Sequence, residues 1–346
     1  MTGAMSRRER VAAALAHRPV DRVPRGEIGL QAGFVAAFLG DAGRGLAERE
    51  RELAVRRGLH MDLVNVHEYP RAPAGRDGQR YPLYRGALGE VFVERPQSFG
   101  LVRPALARIE DAAAYRPADP ASAPTERLEW FRDHSDLYLV AQVMGPVSAL
   151  DWALGTEDYL CWSLEYPEAI ALVAGRMAEY ETARARRFLA AGADAILVTD
   201  DIAFTGGQFL PPAVMAWLAY PLYRRLVEAI KAVRDVPVVF HSDGDLNACL
   251  PELAACGFDG LQSLQPSAGM DIAAVRRQYG DRLALWGNVD LDYLLPFGRP
   301  EEVRAEVGRL LADAGRDGGF ILSTCNILTD AVPVANAVAM YETGLG

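Results

Sequence analysis

An apolar strand and a polar turn follow one another in Val236-Pro237-Val238-Val239-Phe240-His241-Ser242-Asp243-Gly244-Asp245. The first five residues are rich in valine and predict a strand buried on both faces, as in a parallel sheet. His241 and Asp243 then lie at its carboxyl end, where α/β barrels place their reaction sites. The alternative is a structural turn, in which Gly244 supplies the bend and Asp245 caps the next helix. We adopt that interpretation for Gly244 and Asp245, and we expect His241 and Asp243 to be functional.

Seven other segments are extended or apolar in the same way, and helical patterns separate most of them. With the first stretch they are 22–30, 62–69, 137–143, 195–201, 236–241, 260–266, 283–290 and 319–326. Eight strands alternating with helices predict a (β/α)₈ barrel with right-handed crossovers. The alternative, a doubly wound open sheet, lacks the Gly-x-Gly-x-x-Gly turn after an early strand.

Two additions to the barrel are expected. Ser6 and Glu9 fit a capping box, which predicts an N-terminal helical extension from Arg7 to about Ala16. From about residue 71 to 134 the barrel rhythm is interrupted, and the glycine-rich alternation between Tyr84 and Glu94 predicts a β-hairpin insertion. We therefore expect one domain, 1–346, with an insertion at about 71–134.

Composition limits the classes of partner. The chain has 346 residues and a formal net charge of -10, which argues against nucleic acid or an anionic membrane as the main partner. No apolar run approaches the ~20 residues needed to cross a bilayer. The basic N-terminal segment lacks a long apolar stretch and a cleavage-type site, so we expect a cytoplasmic protein. The four cysteines have no spacing that suggests disulfides, and reduced thiols are expected.

In a barrel, the residues just beyond the strands meet in one basin. These residues are Glu27, His67, Glu68, Gln142, Asp200, Asp201, His241, Asp243, Gln265, Asn288, Asp290, Cys325 and Asn326. Packing alone does not require so many polar groups, and the carboxylates would repel one another unless a cation or a proton lies among them. The set therefore favours a metal or a substrate rich in hydrogen-bond donors.

Several members of the set also have structural interpretations. Either Asp200 or Asp201 could cap a turn, and we expect Asp290 to cap the turn that follows it. A histidine in the position of His67 is more often a partly buried structural residue than a ligand. A lone cysteine such as Cys325 is usually a packing residue. Beside His241 and Glu27, however, Cys325 becomes a plausible zinc thiolate, because zinc takes Cys, His and carboxylate ligands together.

The chain resembles the uroporphyrinogen decarboxylase-like superfamily over nearly its whole length. The resemblance rests on collinear motifs: Arg7-x-Glu9-Arg10-Val11 leading to Asp21-Arg22-Val23-Pro24, then Gly145-Pro146, Asp200-Asp201, His241-x-Asp243-Gly244, Gly287-Asn288 and Pro333-x-x-Asn336. It implies a (β/α)₈ barrel with the active site at the carboxyl-terminal mouth. The decarboxylases of this superfamily hold a tetrapyrrole through an Arg-Gln-Ala-Gly-Arg motif. The similar place here is Leu30-Gln31-Ala32-Gly33-Phe34, without either arginine, so decarboxylation is not expected.

The resemblance is closer to the corrinoid-dependent methyltransferase branch. Its thiol-using members bind zinc through a His-x-Cys pair and a later cysteine. His241 and Cys325 match the outer two ligands, Asp243 stands in place of the middle one, and Glu27 is similar in place to an acid that some relatives use near the metal. Folate-using members dispense with zinc, and Asp200, Asp201 and Asn288 could then bind a pterin.

The resemblance therefore implies methyl transfer between a methylcorrinoid on a corrinoid protein and a thiol or tetrahydrofolate. The expected metal is Zn²⁺, and a homodimer is possible. The expected roles are metal binding by His241, Cys325 and Glu27; catalysis by Asp200, Asp201 and Asn288; and substrate binding by Gln142, His67, Glu68, Asp243 and Gln265. The alternatives are a non-catalytic barrel that binds a tetrapyrrole or corrinoid, and a uroporphyrinogen decarboxylase in name only.

Overall fold

The computed structural model describes residues 4–95, 98–315 and 317–345. Its strands, numbered in chain order, are β1 Leu63–Val66, β2 Arg71–Arg76, β3 Pro82–Gly86, β4 Val91–Arg95, β5 Ser98–Arg103, β6 Tyr138–Met144, β7 Ala195–Thr199, β8 Ala203–Phe204, β9 Gly207–Gln208, β10 Val238–Ser242, β11 Gly260–Ser263, β12 Ala284–Val289 and β13 Phe320–Thr324. Its α-helices are α1 Arg7–Leu15, α2 Ala32–Leu39, α3 Glu48–Gly58, α4 Glu126–His134, α5 Pro146–Leu154, α6 Thr156–Glu165, α7 Pro167–Ala191, α8 Pro212–Trp217, α9 Ala219–Lys231, α10 Leu250–Ala255, α11 Ile272–Tyr279, α12 Leu294–Phe297, α13 Pro300–Asp313 and α14 Val334–Glu342.

Seven parallel strands form the central sheet, in the order β1-β6-β7-β10-β11-β12-β13. The segment from Arg25 to Leu30 occupies the eighth position. It makes parallel bridges from Arg25 to Leu322 of β13 and from Leu30 to Leu328, and the Arg25 carbonyl accepts a hydrogen bond from the N–H of Asp62, which precedes β1. The segment therefore joins the last strand to the first, and the predicted (β/α)₈ barrel is confirmed.

The inside of the barrel is apolar at its amino-terminal end. The inward side chains there form one buried cluster: Leu63, Val140, Leu197, Val239, Trp286 and Ile321. Val11, Ala14 and Leu15 of α1 belong to the same cluster, and the Ala14 carbonyl accepts a hydrogen bond from Gly319, just before β13. Helix α1 therefore closes this end, and its predicted Ser6–Glu9 capping box is present.

The insertion is larger than the predicted hairpin. Strands β3 and β4 form that hairpin, and β2 and β5 flank it in an antiparallel sheet of order β2-β3-β4-β5. Every residue of β2 is exposed, so the strand has no buried face to produce an alternating hydrophobic pattern. The prediction missed β2 for this reason.

Within the described residues, no helix is long and apolar enough to cross a membrane.

Glu90, just before β4, is a buried carboxyl group between the insertion and the barrel. Its carboxylate is close to the Tyr69 hydroxyl, but neither oxygen makes a hydrogen bond of good geometry within the described part of the chain. Burial raises the pKa of Glu90 from 4.5 to about 7. Because the folded state binds this proton more tightly than the unfolded state, the contribution of Glu90 to stability is lost as the pH rises toward 7.

We therefore expect Glu90→Gln to stabilise the protein at high pH. At pH 8 its free energy of unfolding should exceed that of the wild type by about 2 to 3 kcal/mol, whereas near pH 4.5 the two should agree. Urea unfolding across this pH range measures the difference, with the exposed Glu110→Gln as the matched control. A constant difference between Glu90→Gln and the wild type at every pH would contradict this account.

Candidate functional site

A ring of polar side chains lies directly above the apolar interior of the barrel. Because inward residues recur every second position along a strand, the polar side chains lie two residues beyond the apolar ones. The ring consists of Asn65, Gln142, Thr199, His241, Asn288 and Ser323, together with Gln262, which pairs in register with His241. We call this set the polar layer, and it forms the floor of the carboxyl-terminal mouth.

Hydrogen bonds connect neighbouring members of the polar layer. The Asn65 amide donates to Gln142 Oε1 at 2.7 Å, and the Gln142 amide donates to Thr199 Oγ1 at 3.2 Å. On the next strands, His241 Nδ1 is hydrogen-bonded to Gln262 Oε1. The floor of the mouth therefore contains two hydrogen-bonded groups, Asn65–Gln142–Thr199 and His241–Gln262.

His241 is the residue of this layer best prepared to bind a ligand. Its side chain is buried, and the contact with Gln262 Oε1 places the ring proton on Nδ1. The lone pair on Nε2 is then free, and within the described residues Nε2 makes no hydrogen bond. The carboxylate oxygen Asp201 Oδ1 lies 3.7 Å from Nε2. A buried imidazole held in this way by a neighbouring acceptor is typical of metal-binding histidines.

Asp201 and Asp243 complete a group with His241. One ligand atom from each of the three lies within 4.8 Å of the others. The Asp243 N–H donates to Asp201 Oδ1 at 3.1 Å, Ser263 Oγ donates to Asp243 Oδ1 at 2.8 Å, and the Asn326 amide donates to Asp243 Oδ2. We call these three residues the carboxylate–histidine group. One imidazole and two carboxylates suit a divalent cation such as Zn²⁺, so the donor set fits the predicted metal.

The turn after β10 holds Asp243 in place. Gly244 has φ of +89°, and a Cβ there would lie 2.5 Å from the carbonyl carbon of Ala203. Only glycine fits this close approach of two backbones. Asp245 accepts hydrogen bonds from the N–H and side chain of Asn247, so its role is local. The predicted bend at Gly244 is confirmed, whereas the predicted helix cap at Asp245 is wrong, because α10 begins at Leu250 with Cys249 at its N-cap and Asp245 only closes a local turn.

Asp200 does not belong to the group, although it adjoins Asp201. Its buried carboxylate accepts hydrogen bonds from the N–H groups of Val147 at 3.2 Å and Ser148 at 2.5 Å, and from the Tyr223 hydroxyl at 2.5 Å. It caps the first turn of α5, and burial raises its pKa to about 6. These contacts give Asp200 a structural role, and its catalytic role stays a prediction.

The other two predicted metal ligands lie outside the group. Glu27 is fully buried, and its oxygens accept hydrogen bonds from the N–H and hydroxyl of Thr324 and from the Tyr341 hydroxyl. Burial raises the pKa of Glu27 to about 7. With both oxygens so engaged, Glu27 lies outside the carboxylate–histidine group, and its role as a metal ligand stays a prediction. Cys325 is buried beside Asp243, and burial together with nearby carboxylates raises the pKa of its thiol to about 12. As a metal ligand Cys325 stays a prediction.

His67 and Glu68, at the end of β1, have different surroundings. Glu68 accepts hydrogen bonds from the N–H groups of Arg127 and Leu128 and so caps α4, and its role in substrate binding stays a prediction. The His67 ring is accessible from two cavities of about 340 and 510 Å³. His67 is exposed to solvent within the mouth, and desolvation by nearby protein together with repulsion from Arg184, Arg127 and Arg71 lowers its pKa. His67 is therefore a neutral imidazole at the edge of the mouth.

The remaining predicted residues support the floor and rim. Gln142 belongs to the polar layer, the Asn288 amide donates to the Leu264 carbonyl, and Gln265 accepts from the Gly244 N–H. Asp290 caps α12 through the N–H groups of Tyr293 and Leu294, as predicted. The sequence pattern did not single out Asn65, Thr199, Ser323, Gln262 or Ser263. A signal for the first three was available, since each stands two positions beyond an inward apolar residue.

The sequence of this chain matches a known protein family. Residues 100–344 match the family described as uroporphyrinogen decarboxylase (URO-D). The chain belongs to the URO-D family. Its relatives include both decarboxylases and methyltransferases. Family membership by itself therefore does not distinguish decarboxylation from methyl transfer.

Two curated relatives represent the two kinds of activity. A uroporphyrinogen decarboxylase from Alkalilimnicola ehrlichii is 29% identical, over 96% of this chain and 92% of the relative. The methylcobamide:CoM methyltransferase MtaA from Methanosarcina barkeri is 25% identical, over 96% and 95%. A solved structure of a methyltransferase from Methanosarcina mazei covers 97% of both chains with a TM-score of 0.75 and 19% identity, which shows the shared fold.

Proposed function

We propose that this URO-D family protein is a corrinoid-dependent methyltransferase. It would move a methyl group between a methylcorrinoid, carried by a corrinoid protein, and a small thiol or tetrahydrofolate. The observation that supports the proposal best is the carboxylate–histidine group at the barrel mouth, in a chain similar over 96% of its length to a methylcobamide:CoM methyltransferase. A homodimer and a cytoplasmic location are further parts of the proposal.

His241, Asp201 and Asp243 would hold the divalent cation, for which we propose Zn²⁺. When bound, the cation supplies positive charge that lowers the pKa of a thiol acceptor and so favours the nucleophilic thiolate. In the transfer itself the cobalt–carbon bond breaks with its electron pair staying on cobalt, a carbon–sulfur bond forms, and the thiol proton leaves to solvent.

The rest of the site keeps these three residues in position. Gln262 fixes the tautomer and the ring plane of His241, while Ser263 and Asn326 fix the Asp243 carboxylate. The side chain of Asp201 is 57% exposed, so the group is open toward the mouth. A bulky methylcorrinoid can approach only from that side, since α1 closes the other end of the barrel.

The charges of the mouth disfavour decarboxylation of uroporphyrinogen. A substrate with eight carboxylates needs fixed, unpaired cations. The mouth instead presents the carboxylates of Asp201 and Asp243. The arginines around His67 are engaged in ion pairs: Arg71 with Glu94, Arg127 with Glu52, and Arg184 with Glu181. We therefore favour methyl transfer, although a decarboxylase is among the relatives.

An assay of zinc-loaded protein with methylcobalamin tests the proposal. We expect demethylation of the cobalamin, followed by its absorption spectrum, that depends on added 2-mercaptoethanesulfonate or tetrahydrofolate. A parallel incubation with uroporphyrinogen should release no carbon dioxide. Carbon dioxide release without demethylation would favour the decarboxylase. Tight binding of methylcobalamin without turnover of any kind would favour the non-catalytic binder.

A further inference from the structure

One side of the barrel mouth carries three carboxylates that no lysine or arginine neutralises. Asp201 and Asp243 belong to the carboxylate–histidine group, and Asp292, which follows β12, is exposed. Within the described residues, none of the three forms an ion pair with a lysine or an arginine, and Asp201 has His241 as its charged neighbour. A divalent cation would balance Asp201 and Asp243, which leaves the charge of Asp292 for another positive group.

The residues that end β11 connect Asp292 to the carboxylate–histidine group. Ser263 Oγ donates to Asp243 Oδ1 at 2.8 Å. Gln265 accepts a hydrogen bond from the Gly244 N–H at 2.9 Å, and its amide donates to Asp292 Oδ2 at 3.4 Å. Asp292 is therefore held next to the turn that carries Asp243.

The same connection fixes Asn288 through a strained stretch of backbone. Ser263 and Leu264 have φ of +91° and +54°, in the left-handed region that residues with a Cβ seldom occupy. Such conformations cost free energy and cluster at ligand-binding sites. The Leu264 carbonyl accepts a hydrogen bond from Asn288 Nδ2 at 2.9 Å. Asn288 and Asp292 therefore lie on the side of the mouth that carries the carboxylate–histidine group.

Asn288 supplies an acceptor that no described residue uses. Its side chain is buried, and because Nδ2 donates to Leu264, the other amide atom is the carbonyl oxygen Oδ1. This oxygen is buried and makes no hydrogen bond within the described part of the chain. Asn288 stands two positions beyond the inward Trp286, so the oxygen lies at the floor of the mouth. A buried carbonyl oxygen without a donor favours a ligand that brings N–H groups.

We propose that Asn288 and Asp292 bind the ammonium group of a small aminothiol, which is the thiol that accepts the methyl group. An ammonium group has three N–H donors and a positive charge, so it can satisfy Asn288 Oδ1 and the Asp292 carboxylate together. This inference rests on the proposed function for the transfer step. There the methyl group goes to sulfur, the electron pair of the cobalt–carbon bond stays on cobalt and the thiol proton leaves to solvent, while the ammonium group keeps its protons.

A thiol that carries an anionic group finds no comparable partner on this side of the mouth. The arginines around His67 are paired with glutamates, and strands β6 and β7 separate β1 from β10. The three aspartates would repel a sulfonate, because like charges brought together lower affinity. We therefore expect affinity to decrease from an ammonium to a hydroxyl to a sulfonate group on the thiol.

Three thiols that differ only in this group test the inference: 2-aminoethanethiol, 2-mercaptoethanol and 2-mercaptoethanesulfonate. Calorimetric titration of the zinc-loaded full chain at neutral pH measures their affinities without a corrinoid. We expect the aminothiol to bind at least about 10-fold more tightly than the sulfonate. The rate of methylcobalamin demethylation should follow the same order.

Two variants assign the preference to the proposed residues. Relative to 2-mercaptoethanol, the aminothiol should bind about threefold to fivefold more weakly to Asp292→Asn. The same ratio should fall at least about 10-fold in Asn288→Ala, which loses a hydrogen bond to a charged group. Because each variant is compared on two thiols, the different acidities of the free thiols cancel. Asp281→Asn is the matched control: Asp281 is 81% exposed and precedes β12, at the other end of the barrel, so its ratio should equal that of the wild type.

Three results would overturn the inference: no binding of the aminothiol, equal or tighter binding of the sulfonate, or an unchanged ratio in both variants. Aminothiol binding without demethylation of methylcobalamin would remove the proposed function and leave the ammonium site. Demethylation that depends on the sulfonate thiol or tetrahydrofolate, with no preference for the aminothiol, would do the reverse.

Discussion

Replacing His241 with alanine is expected to lower zinc affinity at least about 100-fold and to abolish methyl transfer from methylcobalamin. The imidazole is the only nitrogen ligand of the carboxylate–histidine group, and Gln262 already holds its Nε2 lone pair toward the carboxylates. Two carboxylates without the imidazole would form a weak site open to water. Competition titration with a zinc chelator measures the affinity.

Two control variants distinguish loss of a zinc ligand from loss of folding. His67→Ala removes the other histidine of the mouth and should bind zinc like the wild type, because His67 lies outside the group. Gln262→Leu keeps His241 but removes the acceptor that fixes its tautomer, and zinc affinity should fall about 10-fold. Unchanged zinc affinity in a folded His241→Ala protein would remove His241 from the metal site.

The neighbouring residues Asp200 and Asp201 should respond in opposite ways to substitution. Asp200→Ala leaves the N–H groups of Val147 and Ser148 and the buried Tyr223 hydroxyl without an acceptor, so the free energy of unfolding should fall by about 3 kcal/mol. Asp201→Ala removes a side chain that is 57% exposed, so stability should change by less than about 0.5 kcal/mol. Its zinc affinity, in contrast, should fall at least about 10-fold.

Urea unfolding and zinc titration of both variants measure these effects. The two aspartates are matched controls for each other, because they are adjacent and chemically identical. If Asp200→Ala kept full stability and lost zinc binding, the capping role of Asp200 would be wrong and the catalytic role predicted from the sequence would stand.

The barrel could be predicted because its strands are buried on both faces. Such strands are short apolar runs ending in polar residues, and this local signal repeats at each βα unit. Strand β2 gave no such signal, since it lies exposed at the edge of the insertion. Its pairing with β3 depends on backbone hydrogen bonds, which any sequence can supply.

The sequence predicted which end of the barrel carries the candidate site, but not which polar residues form it. That His241 and Asp243 lie at the mouth followed from strand β10 and its turn. Which of Asp200 and Asp201 faces the mouth depends on where the backbone leaves β7, and no residue type encodes that. The oxygens of Glu27 are engaged by Thr324 and Tyr341, which follow it by 297 and 314 residues, and such long-range partners are not visible in a sequence pattern.

X-ray absorption spectroscopy of the zinc-loaded protein tests the central claim most directly. The carboxylate–histidine group predicts a shell of nitrogen and oxygen neighbours at about 2.0–2.2 Å and no sulfur. The nitrogen contribution should disappear in His241→Ala. A zinc–sulfur distance of about 2.3 Å would assign Cys325 to the metal and contradict a site built from His241, Asp201 and Asp243.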